Sequence, residues 1–434
     1  MRITIQGSVK KSAIIAVGVA IFVLAAVWIV RTYLAFAVAE RPTVVNLQAA
    51  RRLDPSNSNY ALQLGRLYQY SVMNANPALA AKALRRAVEL NAYNAQAWLD
   101  LGTTMVFAGD TNKAEDCLRR VDELAPHIPS YQWAIGNFFL LHGDLDEAFR
   151  HFRMVLSGDP SYWQTIFTTA WKASNDPHQI LSELVPRNAS GELTYLNFLL
   201  ATQRVAQAAP VWKLIVKDSG KFDPAQASPY IDALIAGHHP AKAYQVWNVL
   251  RQKGLIPATD ESRPKNLLEN GDFANQPLNM GFGWRVGGVS GVYVTLDDST
   301  FRSPPYSLLI QFPGNQNLDY HAVYQYVPVL PNHKYELTGF MKTEHITTDS
   351  GPRLEVRDAY NPAALDQYTD AMIGTSPSWL PLSLDFRTGP KTNLVVVMIA
   401  RVPSQKLDNR IAGKVWVDDV SLSPVLSPSA PPQP

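Results

Sequence analysis

The chain has 434 residues, of which 47% are apolar and 18% are charged. This length is too great for one compact core, so we expect two or three folded domains. Its 39 basic and 37 acidic residues leave a net charge of +2, which argues against a nucleic-acid-binding protein. A single cysteine, Cys117, excludes an internal disulfide framework and a zinc site built from cysteines.

The chain begins with an apolar run. Residues 12–30 contain no charge over 19 positions, and such a helix spans about 28 Å, close to the thickness of a bilayer's hydrocarbon core. We interpret residues 1–40 as a cytoplasmic stub and a single transmembrane anchor in a bacterial inner membrane, with the body of the protein in the periplasm. The alternative is a signal peptide cleaved between Ala39 and Glu40, but Arg31 separates the run from that site.

Helical periodicity follows from residue 41 to residue 254, and the pattern repeats. Seven positions of one copy correspond to positions 34 residues later: Trp98, Leu101, Gly102, Ala114, Leu118, Val121 and Pro126 with Gln132, Ile135, Gly136, Ala148, Phe152, Val155 and Pro160. Glycine allows two helices to approach closely, and proline ends the second helix. This order of residue types resembles the tetratricopeptide repeat. The resemblance implies an all-α solenoid that binds protein partners.

Period-two alternation replaces the helical pattern after Pro257. Seven or more strand segments predict an antiparallel sandwich over residues 265–422. Segments 266–273, 335–343 and 415–420 resemble the galactose-binding-like jelly roll that carbohydrate-binding modules use.

Residues 255–264 are predicted to be a linker. Residues 423–434, with five prolines and no charge, are predicted to be a disordered tail. The predicted fold is thus multidomain: a transmembrane helix, an all-α solenoid and a C-terminal all-β jelly roll.

The candidate ligand-binding residues of the sandwich combine aromatic rings with planar hydrogen-bonding groups, as sugar binding requires. They are Tyr320, Tyr324, Tyr326, Arg357, Arg401, Asp408 and Asn409. The three tyrosines alternate along one predicted strand and are expected to share a face. The two arginines end neighbouring strands, and Asp408 and Asn409 lie in the loop before the last strand. The competing interpretation is that tyrosines on a sheet serve ordinary packing.

A calcium ion is the one cofactor that the resemblance implies. Modules of this fold often carry a structural calcium near the first and last strands, and the matching acidic positions are Asp272 and Asp419, with Asp418 beside the latter. Carboxylate oxygens are the ligands that calcium prefers. The alternative is that Asp272 caps a turn and that one aspartate of the pair is solvated.

No common nucleotide, zinc-protease or esterase motif occurs, and the spacing of acidic residues predicts no facing carboxylate pair, so we expect no enzyme. His238 and His239 lack an evident third metal ligand.

The predicted function is a membrane-anchored scaffold of the bacterial cell envelope. Its solenoid would bind proteins and its sandwich would bind glycan, in exopolysaccharide or O-antigen assembly or export. The alternative is a carbohydrate-recognition protein with the solenoid as a spacer.

Overall fold

The computed structural model of the chain describes residues 8–218, 222–258 and 265–425. Residues 1–7 of the predicted stub, 259–264 of the predicted linker and 426–434 of the predicted tail lie outside the described residues. The chain divides into two compact units, Met1–Pro186 and Arg187–Pro434. Each unit is described below by itself.

The first unit consists of consecutive helical hairpins. Its helices are α1 (Ser8–Ala39), α2 (Val44–Leu53), α3 (Ser58–Tyr70), α4 (Pro77–Leu90), α5 (Ala95–Phe107), α6 (Thr111–Leu124), α7 (Pro129–Leu141), α8 (Leu145–Gly158), α9 (Trp163–Ala173) and α10 (Pro177–Gln179). Short 3-10 and π turns cover Pro160–Tyr162 and Ile180–Leu184. From α1 to α9, each helix packs against the next, as the repeat pattern predicts.

Small residues and turn glycines produce this stacking. A Cβ atom on Gly136 would lie 2.6 Å from the ring of Phe152, so the two helices of that hairpin pack at a distance only glycine permits. Gly109 and Gly143 follow α5 and α7 with φ values of 75° and 80°, and glycine adopts this left-handed conformation without steric cost. The prediction of a tetratricopeptide-like solenoid is confirmed.

The first helix combines a candidate membrane span with a part of the repeat core. Residues Ser12–Ala39 of α1 are long and apolar enough to span a membrane, with a mean hydropathy of 3.0, although a signal sequence would meet the same test. The end of α1 also belongs to the repeat core, because Ala35 is fully buried in a cluster with Leu47, Ala50 and Tyr60. The candidate span and the first hairpin therefore share one uninterrupted helix.

In the described part of the second unit, four helices are followed by ten strands. The helices are α11 (Ala189–Ala201), α12 (Val205–Asp218), α13 (Ser228–Ala236) and α14 (Pro240–Gln252), with a 3-10 turn at Pro224–Ala227. The strands are β1 (Arg285–Val286), β2 (Tyr293–Asp297), β3 (Ser307–Pro313), β4 (Tyr320–Pro328), β5 (Lys334–Glu344), β6 (Arg353–Asp358), β7 (Asp366–Tyr368), β8 (Leu380–Arg387), β9 (Leu394–Arg401) and β10 (Ala412–Pro424).

The strands form two five-stranded antiparallel sheets. Sheet 1 has the order β1-β4-β9-β6-β7 and sheet 2 has the order β2-β3-β10-β5-β8. Alternate side chains point into one core, for example Val356 and Val397 from sheet 1 and Ile310 and Val415 from sheet 2, all fully buried. The predicted all-β sandwich is confirmed.

The last helical hairpin is fixed to this sandwich by specific contacts. Asp232 on α13 accepts a hydrogen bond from Arg285 on β1 at 2.5 Å, and Tyr360 donates to the carbonyl of Ile235 at 2.9 Å. Arg251 on α14 forms an ion pair with Glu269, in the segment that precedes β1. The helices before the predicted linker at 255–264 therefore contact the sandwich directly.

Candidate functional site

The outer face of sheet 1 carries a row of polar and aromatic side chains. Strand pairing aligns Arg285, Tyr324, Met398, Glu355 and Tyr368 across all five strands of the sheet. The ring of Tyr368 is 53% exposed. Within this row, Met398 and Glu355 are buried.

A cluster of charged side chains lies in the same part of the face. Arg357 donates to Oε1 of Glu355 at 2.5 Å, and its Nε lies 3.4 Å from Oδ1 of Asp366. On the other side of Glu355, Nε2 of His321 lies 3.3 Å from Oε2. The Nδ1 atom of the same ring lies 3.1 Å from Asp319. A buried carboxylate thus lies between the Arg357 guanidinium and the His321 imidazole.

The pKa values of this cluster follow from its contacts. The Glu355 carboxylate raises the pKa of His321, with a smaller contribution from Asp319. Burial alone would raise the pKa of Glu355, but His321 and Arg357 outweigh it and lower the pKa. Burial and the neighbouring Glu355 raise the pKa of Asp366.

The structure separates Tyr320 from the other two predicted tyrosines. The β4–β9 pairing shifts register between Tyr320 and Val323, which breaks the period-two alternation. Tyr320 is only 1% exposed, and its ring packs edge-on against Phe312 in the core. Tyr324 and Tyr326 lie on the outer face with their rings 5.7 Å apart. The prediction that all three share a face is wrong for Tyr320, because a β-bulge lies between them.

Arg401 is also an interior residue. It is fully buried, and its guanidinium donates to the carbonyls of Ser350, Leu318 and Asn409. Burial lowers the pKa of Arg401. These hydrogen bonds compensate the buried charge of Arg401 and hold three loops together through their carbonyl groups. Asp408 in the adjoining loop is exposed. Of the seven predicted residues, the structure brings Tyr324, Tyr326 and Arg357 together on the outer face.

One end of this face is covered by the helical hairpin α13–α14. The guanidinium of Arg285, held by Asp232, lies 5.5 Å from the centre of the Tyr326 ring. Beside it, His238 stacks on Tyr360 with the ring centres 4.1 Å apart. Burial raises the pKa of Tyr360 to about 12. The open part of the face lies around Tyr368 on β7, whereas Tyr324 is half-buried beside Arg285.

The predicted calcium ligands have other partners. The carboxylate of Asp418 accepts backbone N–H groups of Arg302, Ser303 and Asp419 at 2.7–2.8 Å. Asp419 forms an ion pair with the guanidinium of Arg302 and accepts the hydroxyl of Ser303. Asp272 accepts the backbone N–H of Ala274 at 3.4 Å. Within the described residues, no three histidine, cysteine or acidic side chains are grouped to hold a metal ion. Calcium binding at Asp272 and Asp419 stays a prediction.

Sequence reasoning missed four residues of the outer face: His321, Glu355, Asp366 and Tyr368. A signal existed for one of them, because Glu355 and Arg357 are two positions apart on a predicted strand and must share a face. The pairing of β6 with the three-residue strand β7 had no such signal. Without that pairing, Asp366 and Tyr368 could not be placed beside Glu355.

No family model and no curated protein matches this chain. Among solved structures, the enzymatically active domain of bacteriophage CBA120 tailspike protein 4 is 15% identical with a TM-score of 0.28, and the match covers 37% of this chain and 22% of that one. PilF of Pseudomonas aeruginosa is 17% identical with a TM-score of 0.27, covering 52% and 92%. A CBM4 structure is 17% identical with a TM-score of 0.26, covering 36% and 99%. These likenesses are too distant to identify a function.

Proposed function

We propose that this protein is a membrane-anchored, non-enzymatic scaffold that binds proteins through its helical repeats and glycan through the outer face of sheet 1. The observation that carries the proposal is the fixed attachment of the hairpin α13–α14 to a sandwich whose outer face is partly open. A mere spacer needs no specific contacts with the module it carries. The contacts of Asp232 and Arg251 with the sandwich instead favour a scaffold that holds the face in one orientation relative to this last hairpin.

The open part of the face suits a neutral, hydroxyl-rich ligand. Tyr324 and Tyr368 offer aromatic surface, and Arg353 lies 5.0 Å from the Tyr368 ring centre. Two basic side chains, His321 and Arg357, lie beside two acidic ones, Glu355 and Asp366, so no strong field of one sign remains to select an ionic ligand. Aromatic platforms beside fixed hydrogen-bonding groups are typical of sugar binding.

The carboxyl pair of this face argues against hydrolysis. Glycosidases hold two carboxyl groups about 5–9.5 Å apart so that the scissile bond fits between them. Glu355 and Asp366 instead both contact the guanidinium of Arg357, which leaves no room for a sugar between them. We therefore propose binding without turnover.

The cell envelope of a bacterium is the setting that suits these parts best. A helix that spans the inner membrane, repeats that bind proteins and a glycan-binding face together fit exopolysaccharide or O-antigen assembly or export, with the body in the periplasm. The second candidate is a carbohydrate-recognition protein in which the repeats only hold the sandwich away from the membrane.

A glycan array with the full-length protein in detergent tests the binding face. Tyr368→Ala and Tyr324→Ala should each abolish or strongly weaken the signal. Tyr293→Ala is the matched control, because Tyr293 is 71% exposed on sheet 2 and should bind as the parent does. Equal binding by all three variants would exclude this face as the glycan site.

Capture of partners tests the scaffold. Cross-linked membranes should yield defined protein partners with the parent and with Tyr368→Ala alike, because the repeats and not the sheet hold them. Glycan binding without any protein partner would favour the spacer alternative. Release of reducing sugar from a bound glycan would contradict the non-enzymatic assignment.

A further inference from the structure

The position of the first hairpin relative to the span follows from one hydrogen bond. Arg31 directly follows the apolar run and donates to the carbonyl of Arg52 at 3.4 Å. Arg52 lies in the last turn of α2, which runs antiparallel to α1 after a four-residue turn. The end of α2 is therefore level with the point at which the apolar run ends. Trp28 and Tyr33, 65% and 68% exposed, lie at the same level.

The next hairpins present equivalent turns at that level. Helices joined by tight turns alternate in direction, so α4 and α6 run parallel to α2 and end at the same side of the stack. We call this side, formed by the turns 54–57, 91–94 and 125–128, the span-side edge. The opposite side, formed by the turns 71–76, 108–110 and 142–144, is the far edge. A bilayer crossed by α1 would face the span-side edge.

The exposed residues of the span-side edge suit a lipid headgroup layer. Tyr93 is 82% exposed, and Ile128 is 44% exposed in the next turn. Arg51 and Arg52 occupy the last turn of α2 beside Arg31. Tyrosine concentrates at membrane interfaces because one end of its side chain is apolar and the other is polar, and arginine next to a membrane attracts anionic lipid.

We propose that the span-side edge of the first hairpins lies on the headgroup layer of the bilayer that α1 spans. Tyr93 and Ile128 enter the interface, while Arg31, Arg51 and Arg52 face the phosphates of anionic lipids. The inference rests on the proposed anchoring through α1. It adds that the repeats lie on the membrane surface rather than standing free of it, with the far edge left for other contacts.

Site-directed labelling of the full chain in lipid nanodiscs tests this contact. Cys117 is the single cysteine and is buried, so Cys117→Ala gives a background for introduced thiols. A nitroxide is placed at Tyr93→Cys on the span-side edge, at Phe107→Cys on the far edge and at Val23→Cys within the span. Phe107 is the matched control, because it is 74% exposed and also adjoins a turn.

The ratio of collisions with oxygen to collisions with a water-soluble paramagnetic reagent should be high at position 23, intermediate at 93 and low at 107. In nanodiscs with anionic lipid, Arg51→Gln with Arg52→Gln should lower the ratio at position 93 towards that at 107. Equal ratios at 93 and 107, with position 23 still in lipid, would overturn this proposal and leave the anchor intact. A water-exposed position 23 would overturn the anchor and this proposal together.

Hydrogen exchange of the unmodified chain gives a test that needs no variant. Amides of the turns 91–94 and 125–128 should exchange more slowly in anionic nanodiscs than in neutral detergent micelles. Amides of 108–110 and 142–144 should exchange alike in both. Equal behaviour of the two edges would contradict the proposal even if a labelled variant failed to fold.

Discussion

The indole ring of Trp247 lies directly against the backbone of Gly281. Trp247 belongs to α14, and Gly281 lies in the segment that leads into the first strand of the sandwich. A Cβ atom on Gly281 would lie 2.5 Å from two atoms of the ring. The indole also packs edge-on against Phe282 and is only 1% exposed. A helix that the sequence assigns to the solenoid is thus part of the core of the second unit.

Gly281→Ala should therefore destabilise the sandwich and the hairpin α13–α14 together. Overpacking of a core contact costs roughly 1–3 kcal/mol. The φ of 50° at Gly281 adds about 1 kcal/mol for a residue with a side chain. Thermal melting of the full-length protein should show a lower midpoint for the transition of the second unit, monitored by hydrogen exchange in α14 and β4.

Gly288→Ala is the matched control for that change. A Cβ atom there would have no neighbour within 4 Å, so the midpoint should stay at its parent value. If Gly281→Ala melted like Gly288→Ala, the contact between α14 and the sandwich would not exist in solution.

The repeats could be predicted from the sequence, whereas the contacts between the last hairpin and the sandwich could not. The repeat period of 34 residues places Gly102 and Gly136 in equivalent helices, and a local pattern suffices because neighbouring hairpins touch only each other. The pairing of Arg285 with Asp232 bridges 53 residues and two types of structure. Many arginines and aspartates could have paired instead, so no pattern in the chain selects these two.

The candidate site was predictable to the extent that alternation held. Tyr324 and Tyr326 lie on the outer face as period-two counting predicts, and Arg357 follows the same rule on β6. Tyr320 fails because the bulge after it shifts the count by one position, and nothing in its flanking residues marks the bulge. Alternation predicts which side chains share a face of a regular strand, but it does not predict where a β-bulge interrupts the strand.

The repeat glycines should differ in their sensitivity to substitution. A Cβ atom on Gly136 would lie 2.6 Å from the Phe152 ring, whereas one on Gly102 would lie 3.2 Å from Cys117 and 3.3 Å from Leu118. Gly136→Ala should cost roughly 1–3 kcal/mol, because an aromatic ring cannot yield easily. Gly102→Ala should cost less, since the gain in helix propensity of about 1 kcal/mol offsets the closer contact.

Chemical denaturation followed by circular dichroism would measure this order. Leucine at either position should cost more than alanine, because a larger side chain must enter the same contact. Equal stability of Gly136→Ala and the parent would show that the two helices are further apart than the structure has them.

Acid should destabilise the first unit through His151. This side chain is 1% exposed, and burial with the neighbouring Arg150 lowers its pKa to about 4. Arg150 can only donate, so its 2.7 Å contact makes Nε2 of His151 the acceptor. The proton then lies on Nδ1, which donates to Gln132 at 2.5 Å. Asp122 and Glu147 oppose the shift but do not reverse it.

The sign of the pH effect follows from the depressed pKa. His151 binds a proton near pH 6.5 in the unfolded chain and near pH 4 in the folded chain. The free energy of unfolding is therefore undiminished above pH 6.5 and falls as the pH drops from 6.5 to 4. The loss should reach about 3 kcal/mol at most. Urea unfolding at several pH values measures it, with His151→Gln as the reference. An equally steep acid loss in His151→Gln would assign it to other groups.

The N-terminal helix should be retained in the mature protein, with the body outside the cytoplasm. Cleavage after Ala39 would remove Ala35, which is fully buried against Leu47 and Tyr60, and would leave the first hairpin without its first helix. Carbonate-washed membranes should therefore retain the protein, and its intact mass should include residues before Glu40. External protease should digest the body in spheroplasts but not in intact cells.

Ala35→Asp is the informative variant, because a buried charge should destabilise the first hairpin by several kcal/mol without removing the apolar run from residue 12 to residue 30. Release of a soluble chain that begins at Glu40 and melts as the full-length protein does would show that α1 serves only as a signal sequence.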